Sequence, residues 1–314
     1  MSTVAPAAPA TAPVEVVQPR PAALRRARRR RLVRTGWNVL GLLVLAVMVF
    51  PVFWMVSTAF KPDREIIALT PTWFSTSPTL DHFRDAIDVV QHPGFWNGVK
   101  NSLIVVGLSV ALSMVLAFVA AVALAKYRFT GQRVFIVALI GILMLPQVGL
   151  VISLYVVLAR YGLLDQENPL PTGALAGLIV TYMTFLLPFA VWTLRGFILG
   201  VPRELEEAAM VDGSTRFGAF ARILLPLVAP GLVATAVFVF ITVWNEYIFA
   251  SVILSDQSNQ TLTVWLSYFY GTSRATDWGA LMAASTLTAI PVVIFFLLVQ
   301  RKIAFGLTAG SVKA

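Results

Sequence analysis

Few side chains in this chain of 314 residues could make or break a covalent bond. It contains no cysteine, which removes disulfides, thiolate metal sites and thiol nucleophiles. Its two histidines, His82 and His92, share one polar stretch, and a pair without a third ligand gives no basis for expecting a metal. There is no Gly-x-x-x-x-Gly-Lys-Ser/Thr loop to cradle a nucleotide, so the chain is not expected to bind ATP itself. Glu246 is the single acid inside a long apolar run, with Trp244, Asn245 and Tyr247 beside it. A carboxylate at membrane depth is expensive, so it marks a candidate site facing a cavity or a partner. Its neighbours offer an aromatic and hydrogen-bonding surface, which makes Trp244, Asn245 and Glu246 candidates for contact with a polar ligand. The competing reading is a structural hydrogen bond to a neighbouring helix. The densest polar island is Pro202–Pro226, with four of the fifteen acids: Glu204, Glu206, Glu207 and Asp212. Recognition and transmission of force are the chemistry on offer, rather than catalysis.

The island implies its own local structure. Pro202 suits a first helical position, where a missing N–H costs nothing. Glu204, Glu206 and Glu207 follow in the first turns, at the positive end of the helix dipole. Gly213 fits the residue just past a helix end, free to take positive φ. Ser214 or Thr215 can then cap a second short helix running to Pro226. The expectation is a compact helix-turn-helix over residues 202–225.

Composition says what carries it. Apolar residues make up 58% of the chain and charged ones 12%, and the mean hydropathy is +0.81. That balance is foreign to soluble proteins and usual in polytopic membrane proteins. Six spans are expected, at residues 37–60, 101–125, 134–158, 174–194, 227–254 and 279–300, giving an all-α fold. Prolines lie inside five of the six spans, among them Pro51, Pro146, Pro188 and Pro291, if Pro230 near the start of the fifth is counted. In the second span Ser109, Ser113, Ala117, Ala121 and Ala125 recur at every fourth residue, a seam that lets helix backbones pack closely within the subunit. The organisation expected is a disordered basic tail over 1–34, a six-helix transmembrane domain over 35–304, and a short tail over 305–314.

Six spans put both termini on one side, and the charges choose which. Eight arginines crowd Arg20–Arg34 against one acid, Glu15, just before the first span. With the termini in the cytoplasm, eighteen Lys and Arg lie inside and six outside. The polar island is then cytoplasmic. The net charge of +9 is therefore explained by membrane topology, and nucleic acid is not an expected partner.

At the residue level the island follows a known pattern. Glu207-Ala208-Ala209, three residues, Gly213, nine residues, then Ile223-Leu-Leu-Pro226 resembles, at full spacing, the EAA motif of membrane subunits of ABC importers. Glu-Glu-Ala-Ala-Met-Val-Asp-Gly-Ser-Thr around it is similar to the carbohydrate-uptake branch, the maltose transporter's smaller permease being its type. Leu124-Ala-Lys-Tyr-Arg-Phe-Thr-Gly131, Trp244-Asn-Glu246 and the ending Gly306-Leu-Thr-Ala-Gly-Ser-Val-Lys313 agree with it, over roughly residues 36–314. The resemblance implies a multi-pass subunit of the cell membrane that pairs with a second homologous permease. An ABC ATPase dimer, which binds ATP and Mg, would sit below it and an extracytoplasmic substrate-binding protein outside. Glu207, Ala208, Ala209, Asp212 and Gly213 would seat in the ATPase. Gly306, Thr308, Gly310 and Lys313 would reach it through the tail. By the same resemblance the outer loop at 255–278, with Asn259, Gln260, Tyr268, Tyr270 and Trp278, would meet the binding protein. An ion-gradient transporter would instead need paired membrane carboxylates or broken helices in repeated halves. A membrane enzyme would need clustered His, Asp or nucleophile residues in its spans. The sequence has neither pattern.

Overall fold

The structure is a computed structural model that describes residues 21–88, 94–168, 170, 173–270 and 277–309, with side chains described from 33 to 300 within those limits. Its elements in chain order are α1 (Pro21–Ala59), α2 (Asp63–Ile66), α3 (Asp81–Asp88), α4 (Phe95–Lys126), α5 (Gln132–Leu143), α6 (Val151–Arg160) and α7 (Ala174–Leu199). There follow α8 (Arg203–Val211), α9 (Arg216–Ala219), α10 (Leu225–Trp244), α11 (Ile248–Ile253), α12 (Leu262–Ser267) and α13 (Trp278–Ala309). The described residues include no strand. The chain divides into a unit that ends at Trp54 and one that starts at Met55. The first holds most of α1, which already begins at Pro21; the arginine cluster expected in a disordered tail is thus helical from there. A continuous run of alanine, leucine and arginine favours helix, and nothing in it interrupts the span that follows.

Among the described residues, five helices are long and apolar enough to cross a membrane: Val33–Ala59, Phe95–Lys126, Ala174–Leu199, Arg216–Trp244 and Trp278–Gln300. The remaining expected span is not one straight helix. Gln132–Leu143 and Gln147–Arg160 meet at 94°, with Met144-Leu145-Pro146 between them. Pro146 cannot donate the bond that would continue α5, and it biases Leu145 away from helical backbone. Pro188, Pro230 and Pro291 sit inside α7, α10 and α13 without ending them. The fifth span also departs from expectation: α10 stops at Trp244, and only after Asn245–Tyr247 does α11 resume.

The core of the second unit is built where α4 and α7 pack along each other. Ser109, Ser113, Ala117, Ala121 and Ala125 are all buried on α4, so the four-residue repeat is an intramolecular seam. Between lipid-exposed helices such contact is favoured by dispersion and close backbone approach. Leu178, Leu194 and Ile198 of α7 and Val228 and Val239 of α10 complete it.

The stretch after α11 is more structured than a polar loop. Trp265 on α12 is among the most buried side chains and packs edge-on against Phe269. Asn259 and Gln260, expected to be exposed, are buried: the Asn259 amide donates to Gln166 O at 2.7 Å. Asn101 of α4 donates to the carbonyls of Ser258 (2.8 Å) and Gln260 (3.1 Å), and Ser102 Oγ accepts from Leu262 N. Tyr270 and Trp278 remain exposed. These polar residues knit one end of the bundle together.

Candidate functional site

The polar island forms as its local chemistry dictates, with two adjustments. Pro202 is the N-cap and α8 starts one residue later, at Arg203, because Pro202 has extended ψ (134°). Three bonds close the far end: Asp212 N to Ala208 O, Gly213 N to Met210 O, and Ser214 N to Ala209 O. This is a Schellman turn, and Gly213 sits at its centre with φ +90°. Thr215 Oγ1 then accepts from Gly218 N at 3.1 Å and caps the next helix. That helix does not end at Pro226. It runs without interruption from Arg216 to Trp244, passing through a π-turn at Phe220–Leu224 just before the proline. The wider turn takes up the register mismatch that a proline creates. The second cytoplasmic helix expected from the sequence is therefore the beginning of the fifth span.

Side-chain placement divides the island. Glu207, Ala208, Asp212 and Gly213 are exposed, and Ala209 is half-buried. Val211 (87% exposed) and Phe217 (77%) present bare apolar surface on either side of the turn. Glu206 faces the other way and pairs with Lys126 at the end of α4. Arg203 Nη2 donates to Ala125 O at 3.3 Å, and Arg195 Nε donates to Leu124 O at 3.4 Å. Gln132 Nε2 also reaches Leu124 O, at 2.7 Å. The last carbonyls of α4, the negative end of its dipole, thus receive two guanidinium groups and an amide. Sequence reading missed Glu206, Arg203 and Lys126 as a set, since nothing local links residues 80 apart.

At the second candidate site, Glu246 holds the break in the fifth span. Its Oε1 accepts from Phe249 N (2.9 Å) and its Oε2 from Ala250 N (3.2 Å), capping α11. Tyr182 of α7 donates its hydroxyl to Oε2 at 2.7 Å, and Thr263 Oγ1 donates to Glu246 O at 2.8 Å. Trp244 is buried and stacks on Phe240. Asn245 is exposed, and its amide donates back to Ile241 O. Tyr247 is 43% exposed. Tyr182 and Thr263 are further members that sequence reading did not name; a tyrosine in an apolar span was their only available signal.

His82 gains neighbours from afar. Its Nε2 lies 2.9 Å from Lys61 O and 3.6 Å from Asp63 Oδ1, and Asp277 completes a cluster whose ligand-type atoms lie within 4.8 Å of each other. Facing a carbonyl, Nε2 is the protonated nitrogen and serves here as a hydrogen-bond donor rather than as a ligand atom. Asp277 also caps α13 through Ala280 N at 2.9 Å. The ring lies so close over Gly279 that a Cβ there would meet it at 2.1 Å. The cluster works as a strut between the start of α13 and the loop after α1. Gly306 and Thr308 lie within α13, so the helix extends into the expected tail; Gly310, Lys313 and His92 lie outside the described residues.

Among the described residues, helices alone, five of them long and apolar enough to cross a membrane together with one bent pair, and an exposed polar turn between two of them, are the features of a polytopic membrane protein. The chain belongs to the family of binding-protein-dependent transport system inner membrane components, whose pattern residues 113–308 match. It is 45% identical to the diacetylchitobiose uptake system permease protein DasC of Streptomyces coelicolor, over 91% of this chain and 99% of that one. It is 34% identical to the trehalose transport system permease protein SugB of Mycobacterium tuberculosis, over 89% and 97%. In fold it matches a chain of a bacterial ABC transporter involved in import of the acidic polysaccharide alginate, with TM-score 0.68, 19% identity, and 87% and 97% of the chains covered. A second structure of a bacterial alginate ABC transporter, in complex with an alginate pentasaccharide-bound periplasmic protein, matches with TM-score 0.60 over 86% and 94%, at 18% identity.

Proposed function

We propose that this chain is a permease subunit of an ATP-driven importer of a sugar, an oligosaccharide in particular, brought by an extracytoplasmic binding protein. The observation that carries this reading is the 45% identity, over nearly its whole length, to a permease of diacetylchitobiose uptake. The chain forms the translocation path with a second homologous permease, and an ABC ATPase dimer hydrolyses ATP below it. Both termini lie in the cytoplasm, which brings residues 202–214 to the ATPase face. There the exposed Glu207-Ala208 pair, with Ala209 beneath, offers a thin helix surface that seats deeply and a carboxylate for a basic partner group. Val211 and Phe217 supply the apolar area that a protein contact needs. The tail at Gly306–Lys313 adds a second contact to the ATPase. On the substrate path, Asn245 and Tyr247 face outward at the break, and Trp244 and Glu246 hold its shape.

The reading is tested by reconstituting the complete importer in vesicles and measuring ATP hydrolysis with its binding protein. The panel of ligands comprises chitobiose-type, maltose-type and acidic oligosaccharides, with amino acids as controls. Stimulation by one class of oligosaccharide is the expected result. Stimulation by a non-sugar ligand alone, or uptake by this chain with no ATPase present, would overturn it.

A further inference from the structure

Two adjacent acids in α8 have opposite orientations, and the inward one does work that the outward one cannot. Glu207 is exposed on the face offered to a partner, while Glu206 turns back to the Lys126 ammonium at the end of α4. We propose that the Lys126–Glu206 pair, supported by the Arg203–Ala125 hydrogen bond, is a latch that fastens the coupling helix to the second span. This rests on the functional reading above and deepens it.

Connectivity alone ties α8 to only two spans: α7 before it and the long Arg216–Trp244 helix after it. The ion pair adds a third. Both partners are largely shielded, with 16% and 20% side-chain exposure, so salt and water weaken the attraction less than at an open surface. Arg203 is the first residue of α8, and its guanidinium bonds the Ala125 carbonyl, one residue before Lys126. Arg195, near the end of α7, bonds Leu124 O. Three consecutive residues of α4 are thus held by three charged groups spread along the chain from the end of α7 into α8. Because α4 also packs along α7, a displacement of α8 is delivered to both helices of that pair together. Without the latch, α8 could pivot about its proline and glycine ends while α4 stayed behind. Lys126 and Glu206 are therefore positioning residues: neither needs to touch nucleotide or sugar.

The test uses the complete reconstituted importer. Glu206→Gln keeps shape and removes charge, and Lys126→Met does the same on the other side. Each is expected to leave a complex that purifies whole, while the ratio of stimulated to basal ATP hydrolysis, and sugar uptake with it, falls about tenfold. Exchanging the charges in Lys126→Glu with Glu206→Lys is expected to recover the ratio to within about threefold of wild type. No change at Glu207 should be rescued by a change at Lys126. As a second measurement, cysteines replace both residues in this naturally cysteine-free chain and are bridged by a long bifunctional thiol reagent. Bridging is expected to restore the ratio that the unbridged cysteines lose. Single variants that keep full stimulation would overturn the latch. So would a charge exchange or a bridge that stays uncoupled while the complex assembles. A wild-type complex that ignores its loaded binding protein would overturn the functional reading itself, and the latch with it.

Discussion

Glu246 shows how a residue chosen for one reason can serve another. A carboxylate at that depth needs donors, and it has three: two backbone amides at the start of α11 and the Tyr182 hydroxyl. Glu246→Ala removes the cap and strands the hydroxyl, so it should cost about 2–4 kcal/mol of stability. Glu246→Gln keeps one acceptor oxygen for one of the amides and offers the Tyr182 hydroxyl a donor in place of the other, so it should cost about 1–2 kcal/mol, less than the alanine. Thermal unfolding of the purified protein in detergent checks this ordering; equal stability of the two variants would refute the capping role. The position of Glu246 in an apolar run was legible in the sequence, because hydropathy exposes a lone charge. Its partner was not, because Tyr182 lies 64 residues away and pairing across that distance leaves no local mark. The turn at Gly213 and the Thr215 cap were legible for the opposite reason: both obey rules that act within four residues.

Elements were legible where composition alone decides them. Long apolar runs become helices, and all the expected spans appear as apolar helices or a bent pair. Their interruptions were hidden, since hydropathy has no direction and proline is ambiguous in a membrane. Pro146 marks a 94° bend, whereas Pro188, Pro230 and Pro291 ride inside continuous helices. The joint between α8 and α9 provides the sharpest test at this scale. A Cβ on Gly213 would meet nothing within 4 Å, so any substitution there acts through backbone conformation alone. At φ +90°, Gly213→Asn should be mildest, Gly213→Ala should cost about 1 kcal/mol, and Gly213→Val should cost about 2 kcal/mol or more. Binding-protein-stimulated ATP hydrolysis should fall in that order while membrane insertion stays normal. A flat series would show that the turn's geometry is irrelevant to coupling.

For the whole molecule, the open quantity is which way it faces. The absence of cysteine makes it a ready background for single-cysteine labelling in intact cells. With the proposed orientation, a membrane-impermeant thiol reagent should label a cysteine at exposed Tyr270 and spare one at exposed Val211. Inside-out vesicles should reverse the pattern, and the opposite result would turn the molecule over. The uninterrupted helix from Arg216 to Trp244 gives that orientation a mechanical meaning. Twenty-nine residues at helical rise make a rod of about 43 Å, longer than the ~30 Å apolar thickness it crosses. Such a rod is a lever. A tilt of about 10° at the Phe217 end would sweep the Trp244 end through about 7 Å, more than one helical turn. The Asn245–Tyr247 break then lies where the sweep is widest, so on the proposed function a small rotation at one membrane face would shift the candidate substrate path near the other by ångströms.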